Sequence, residues 1–207
     1  MLGINNFAPR VSMNILNALL GKGLRSPQSI RHKGKRLSEI LEAHSHFVRG
    51  DDTGVRADLA GADLSRANLE KAKLAYADLQ GANLEGANLR EAKLSSADLS
   101  KACLRSADLR KTDFTEANLS GADLTEAQVG GAELFRADMR QSVLRRANFG
   151  AANFRQAEIQ GADFEGASLQ TAILRETNLE GVDLSRAEQL STALMPRGYV
   201  QPGATKN

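Results

Sequence analysis

From Ala57 to Leu184 a large apolar residue stands at every fifth position without a slip, and no other feature of the chain restricts its fold as tightly. The series opens Leu59, Leu64, Leu69, Leu74 and closes Leu174, Leu179, Leu184, giving 26 consecutive units. The residue is Leu except at Phe114, Val129, Met139, Phe149, Phe154, Ile159 and Phe164. Two places earlier stands Ala in 22 of the 26 units, replaced by Thr112, Ser142, Thr177 and Val182. Between the two stands Asp or Asn in 17 units. Five residues advance an α-helix by about 140°, which scatters the Leu side chains around the cylinder. On a flat strand five is odd, so successive Leu would face opposite sides. The chain must therefore bend once per unit, keeping Ala and Leu inside. An Asp or Asn between them suits the bend because its side chain can bond nearby backbone. The result is a solenoid.

Units such as Ala62-Asp63-Leu64-Ser65-Arg66 and Ala82-Asn83-Leu84-Glu85-Gly86 resemble the pentapeptide repeat family. The resemblance implies an all-β solenoid, a right-handed quadrilateral β-helix with four units to a coil, Leu and Ala inward and the other three residues outward. The residues themselves hold a trace of a 20-residue period. On one side the second residue after the central Leu reads Gly61, Gly81, Lys101, Gly121, Gln141, Gly161, Gly181, and the other three sides hold only Gly86, Gly131 and Gly166 there. At strand spacing of about 4.8 Å per coil, six and a half coils make a rod roughly 31 Å long.

The repeat predicts four segments: a basic N-terminal arm over 1–36, a capping helix and lead-in over 37–56, the β-helix over 57–186, and a C-terminal cap or dimerisation tail over 187–207. Residues 1–56 carry nine Lys and Arg against four acids, net +5, whereas 57–186 carries 16 against 20, net −4. Aromatic residues are 4% of the chain with no Trp, which a narrow column of Leu and Ala accommodates. No run is long and apolar enough for a membrane-spanning helix. The single Cys103 excludes an internal disulfide and falls at an outward position, where it reads as a surface thiol.

Within the arm, Ser12 to Leu20 has apolar residues at helical spacing before Gly21, Ser26-Pro27 reads as a turn, and Arg31, Lys33, Lys35 and Arg36 form a basic run. Three readings stay open for it: a loose leader, a targeting or membrane-surface segment over residues 11–36, and a nucleic-acid tether. Leu37 to Val48 predicts a helix with Leu37, Ile40, Leu41, His44 and Val48 on one face, ended by Gly50. A first coil exposes unpaired backbone, so this helix is expected to cap it. His44 and His46, two apart on a helix, do not converge on a metal, and His32 adds to the basic run. No metal or cofactor is expected.

Sorted by side, the outward residues place Asp58, Asp78, Asp98, Asn118, Asp138, Glu158 and Asn178 in one line, opposed by Lys101 and Arg140. Glu180 adds to them, and this side is net −4. Asp58, Asp78, Asp98, Asp138 and Glu158 form the candidate interaction face; their structural role would be to bond the turning backbone. Arg136, Arg140, Arg145, Arg146 and Arg155 spread over three sides, with Glu126 and Glu165 interleaved, and no aromatic platform accompanies them. Recognition of nucleic acid by that patch is disfavoured. Phe149, Phe154 and Phe164 fill three of four inward places in one coil and predict wider packing there. After Leu184 the pattern breaks at Gln189; Leu190, Leu194, Met195, Tyr199 and Val200 are candidates to cap the last coil or pair with a second copy.

No nucleophile with a base, no phosphate loop and no inward polar cluster points to catalysis. The expected function is non-catalytic: a cytoplasmic protein-binding scaffold with an unidentified protein partner, displaying outward residues on a rigid rod, with a homodimer through the C-terminal coil as one arrangement. Two alternatives remain. One is inhibition or protection of a type II topoisomerase by DNA mimicry, supported by the acidic flank and opposed by the basic arm and by the lack of any interrupting loop. The other is attachment to an anionic membrane surface through residues 11–36, which would make the protein peripheral or organelle-targeted.

Overall fold

The computed structural model describes residues 23–199. Residues 57–184 form a right-handed quadrilateral β-helix in which positions 20 apart stack as parallel partners, as in Asp58 with Asp78, Asp63 with Asn83, Asn68 with Asn88 and Lys73 with Lys93. We call the sides centred on Leu59, Leu64, Leu69 and Leu74 sides one to four.

Each unit from Leu59 to Phe149 makes the same bonds. The amide of Leu59 donates to the Asp78 carbonyl at 2.7 Å, that of Gly61 to Gln80 at 2.9 Å, and Asp78 returns a bond to the Ala57 carbonyl at 2.9 Å. The corner is closed by the Ala62 amide donating to the Leu59 carbonyl at 3.0 Å. This corner needs a left-handed residue second after the Leu. Every such position from Gly61 to Gly181 has φ between 53° and 70°, and most of them are not glycine. The left-handed region costs a non-glycine residue about 1–2 kcal/mol. Each hydrogen bond returns about 0.5–1.5 kcal/mol net, and each unit makes several. The ladder therefore outweighs the corners, and Gly is a preference there.

The Asp or Asn of the unit has a fixed structural task. In all 17 units that carry one, its side-chain oxygen accepts the backbone N–H two residues on, at distances of 2.9 to 3.4 Å. The interior is closed. The inward residues from Ala57 to Leu174 are buried, apart from a partly buried Ala72. Where Ala is replaced by a hydroxyl residue, the hydroxyl is satisfied: Thr112 donates to the Leu89 carbonyl at 2.8 Å, Ser142 to Met139 at 2.6 Å and Thr177 to Phe154 at 2.6 Å. Phe149, Phe154 and Phe164 pack as a trio with ring centroids 5.1 to 6.4 Å apart.

Two short strands, β1 (Arg31–His32) and β2 (Lys35–Arg36), form a hairpin that leads into the helix α1 (Leu37–Arg49). The helix ends at Gly50 in the left-handed conformation, whose N–H bonds the His46 and Phe47 carbonyls. Leu37 and His44 are fully buried, and Ile40 and Leu41 pack on the core, so α1 lies over the open end of the first coil. Val48, placed on the same face by its spacing, is 38% exposed. Gly54 lets the return loop pass the helix, because a Cβ there would stand 2.2 Å from the Phe47 backbone nitrogen.

The segment before the helix is part of the same body. Arg25 pairs in parallel with Ala67, donating to the Arg66 carbonyl at 2.7 Å and accepting from Asn68 at 2.9 Å, which covers the edge of side three. Ile30 is fully buried and joins the core. Residues 23–36, grouped by charge with a basic arm, thus belong with the cap; the helical pattern at Ser12–Leu20 lies outside the described residues.

The solenoid also continues past residue 186. Ser168 pairs with Glu188, then Ile173 with Leu194, a spacing of 21 that reveals one inserted residue. That residue is Gln189, at φ 55°, followed by a 3-10 turn over Leu190–Thr192. Leu190 occupies the inward place and is buried, whereas Leu194 stands in the outward column of side four and is 42% exposed. Leu194 is therefore a flank residue and not an end plug. Met195 and Tyr199 pack partly against the core, and Val200 lies outside the described residues.

Candidate binding face

Side one brings the acidic residues into a single file. Asp58, Asp78, Asp98, Asn118, Asp138 and Glu158 are successive parallel partners, and Asn178 follows in sequence. Their charges are not equivalent. The Lys33 ammonium at the hairpin turn pairs with Asp58 and holds that carboxyl below the usual range. Arg140 grips Asp138 through Nε and a terminal nitrogen at 2.9 and 2.7 Å, and also reaches Glu158 at 3.1 Å. That grip lowers the Asp138 pKa and raises that of the guanidinium.

Between these two neutralised ends stand Asp78 and Asp98, which have no ion-pair partner among the described residues. Asp78 accepts only the Gln80 amide at 3.1 Å, while Asp98 accepts the Ser100 amide at 2.9 Å and the Asn118 side-chain amide at 3.2 Å. Around them Ser100 is buried and Gly81 and Gly121 lie at the corner, with the exposed Lys101 between the two. Of the stacked column from Asp58 to Glu158, the unpaired charge thus lies in the second and third coils. The sequence could not show this, because Lys33 is 25 residues from its partner and arrives only through the fold of the cap.

The other sides pair their charges more completely. Arg146 bonds Glu126, Arg145 bonds Asp163 and reaches Glu165, Arg186 bonds Glu165, Arg155 bonds Glu176, and Arg136 reaches Glu116. The arginine run at 136–155 is therefore an ion-pair surface rather than an anion site. His44 accepts a backbone N–H inside the cap, and His46 pairs with Asp51 at 2.8 Å on the helix exterior, so the two rings do not meet. Cys103 lies partly buried in the outward column of side two. No helix among the described residues is long and apolar enough to cross a membrane.

The stacked register and the repeated corner agree with the comparison to known proteins. The model of the family described as pentapeptide repeats (8 copies) matches residues 55–128 and 132–188. The chain belongs to the pentapeptide repeat family. Among solved pentapeptide repeat proteins, it is similar to HetL from the cyanobacterium Nostoc, at 41% identity, covering 70% of this chain and 68% of HetL with a TM-score of 0.64. A pentapeptide repeat protein from the thylakoid lumen of Arabidopsis thaliana matches at 29% identity over 46% of this chain and 66% of its own, with a TM-score of 0.45. The plasmid-mediated fluoroquinolone resistance protein QnrB1 matches at 23% identity over 63% of this chain and 64% of its own, with a TM-score of 0.32. No curated protein matches the chain.

Proposed function

We propose that this pentapeptide repeat protein is a non-catalytic scaffold that recognises a protein partner through side one, with Asp78 and Asp98 at the centre of the contact. The observation that carries the reading is the pair of carboxylates, Asp78 and Asp98, without an ion-pair partner among the described residues, on a rod whose interior is filled by Leu, Ala and Phe. A filled interior leaves no room for a substrate. A rigid exterior presents its groups at fixed spacing, so a partner binds with little ordering cost on this side. HetL, described as involved in the regulation of heterocyst differentiation, is a relative for which a part in regulation is stated. DNA mimicry would need a long unbroken anionic track, and Lys33 and Arg140 neutralise both ends of this one.

The test is affinity capture with the full chain against an Asp78→Asn/Asp98→Asn variant, since Asn holds the same turn at Asn83 and Asn88. Loss of a partner in the variant supports the reading. A catch that is unchanged removes side one from recognition.

A further inference from the structure

The ladder that joins every coil to the next opens at one step. One coil lower, Met139, Gln141 and Leu144 donate to Glu158, Gln160 and Asp163 at 2.7, 3.0 and 2.9 Å. Their counterparts Ile159, Gly161 and Phe164 make no backbone bond to the strand above, and neither Asn178 nor Asp183 returns one to Ala157 or Ala162. Pairing resumes at Gly166, which bonds the Arg186 carbonyl at 2.8 Å, one residue out of register with the coils below. Sides three and four keep their bridges, although the Gln156 amide on side four makes no bond to Arg175, and on side one the Gln160 side chain reaches the Asn178 carbonyl at 3.2 Å.

Val182 takes the inward place that Ala, or Ser at Ser142, holds elsewhere on side two, and it packs only partly against the core. Ala162 is 8% exposed where the Ala82, Ala102, Ala122 beneath it are at most 1%. A recess of about 260 Å³ fills the step, lined by Gly161, Ala162, Asp163, Phe164, Gly181 and Asp183 among others.

We propose that this step is a docking site for an extended basic peptide, which adds as a strand to the open edge over residues 157–164. An open edge of alternating N–H and C=O groups is matched by another polypeptide strand, and buried backbone groups left without partners are costly. The rim favours Lys or Arg in that strand. Asp163 and Glu165 are already held by Arg145 and Arg186, but Glu180 and Asp183 have no ion pair among the described residues. Gly181 leaves its corner clear of side chains, whereas the Gln141 side chain lies against Gly161. The site deepens the scaffold reading, on which it rests for the partner being a polypeptide.

The test uses the full chain and an acetylated, amidated probe peptide of alternating Val and Lys. In the free protein the amides of Ile159, Gly161 and Phe164 exchange about 100-fold faster than those of Met139, Gln141 and Leu144, as open edges do. The probe slows all three, a probe with alternate amides N-methylated does not, and Glu180→Gln/Asp183→Asn weakens the probe about tenfold, the loss of roughly one ion pair in a partly shielded site. Slow exchange in the free protein means a closed coil and overturns the site. Equal binding of the N-methylated probe reduces it to charge attraction and overturns it as well. Because the step lies three coils from Asp98 along the same side, partner capture by Asp78 and Asp98 is read separately, and either result can fail alone.

Discussion

The Nδ1 of His44 accepts the Ala57 amide at 3.0 Å, so a fully buried imidazole ties the capping helix to the first residue of the first coil. Accepting at Nδ1 requires the neutral ring with its proton on Nε2. Nε2 has no hydrogen bond of good geometry, although the Ala75 carbonyl lies near enough to favour a proton. Burial first, and then the charge of Arg56, lower the His44 pKa.

This makes the cap sensitive to mild acid. With the folded pKa below the ordinary value of about 6.5, the contribution is complete above that pH. Below it the unfolded chain binds a proton that the folded cap refuses, so stability falls by up to about 1.4 kcal/mol per pH unit until the lowered pKa is reached. Asp58 and Asp138, held low by Lys33 and Arg140, act only in a more acid window. Thermal melts from pH 7.5 to 5 check this, with His44→Asn, which keeps an acceptor but does not titrate, expected to flatten the profile.

Truncating an inward residue opens a cavity that the coils above and below cannot fill. Leu119→Ala is expected to cost about 2–5 kcal/mol and Phe154→Ala about 3–5 kcal/mol. Urea unfolding followed by circular dichroism measures both.

The Asp of the unit is needed as an acceptor and not as a charge. Asp78→Asn is expected to leave stability within about 0.5 kcal/mol. Asp78→Leu, which leaves the Gln80 amide without its partner, is expected to cost about 1 kcal/mol. Comparing the two melts separates turn geometry from electrostatics.

The segment ahead of α1 is integral to the fold. Ile30→Ala is expected to cost about 2–5 kcal/mol, because Ile30 is fully buried and its carbonyl accepts the Leu37 amide at 2.8 Å. A melt that matches the parent would mean residues 23–36 are an accessory, contrary to their packing.

Much of this architecture was readable from period alone. An apolar residue every five positions cannot be buried by a helix or a flat strand, so the bend and the inward Leu and Ala follow from local chemistry repeated 26 times, with a turn-bonding Asp or Asn in 17 of those units. Repetition makes every copy an independent vote for the same register. The helix at Leu37 and its stop at Gly50 were readable for the same reason: spacing and a left-handed terminator are local properties.

What depended on single, distant meetings was not readable. Lys33 reaching Asp58 and Arg25 extending the ladder at Ala67 join residues 25 and 42 positions apart, outside any period. The insertion at Gln189 hid the continuation of the solenoid, since one extra residue breaks the count without breaking the stack. The lifted step above Ile159 shows only in which backbone groups meet between coils. The period thus determined where each side chain points, because direction is set within five residues. Only the tertiary structure decided which charges stay free and which backbone edge stays open, because those are set by neighbours that the chain brings together from far apart.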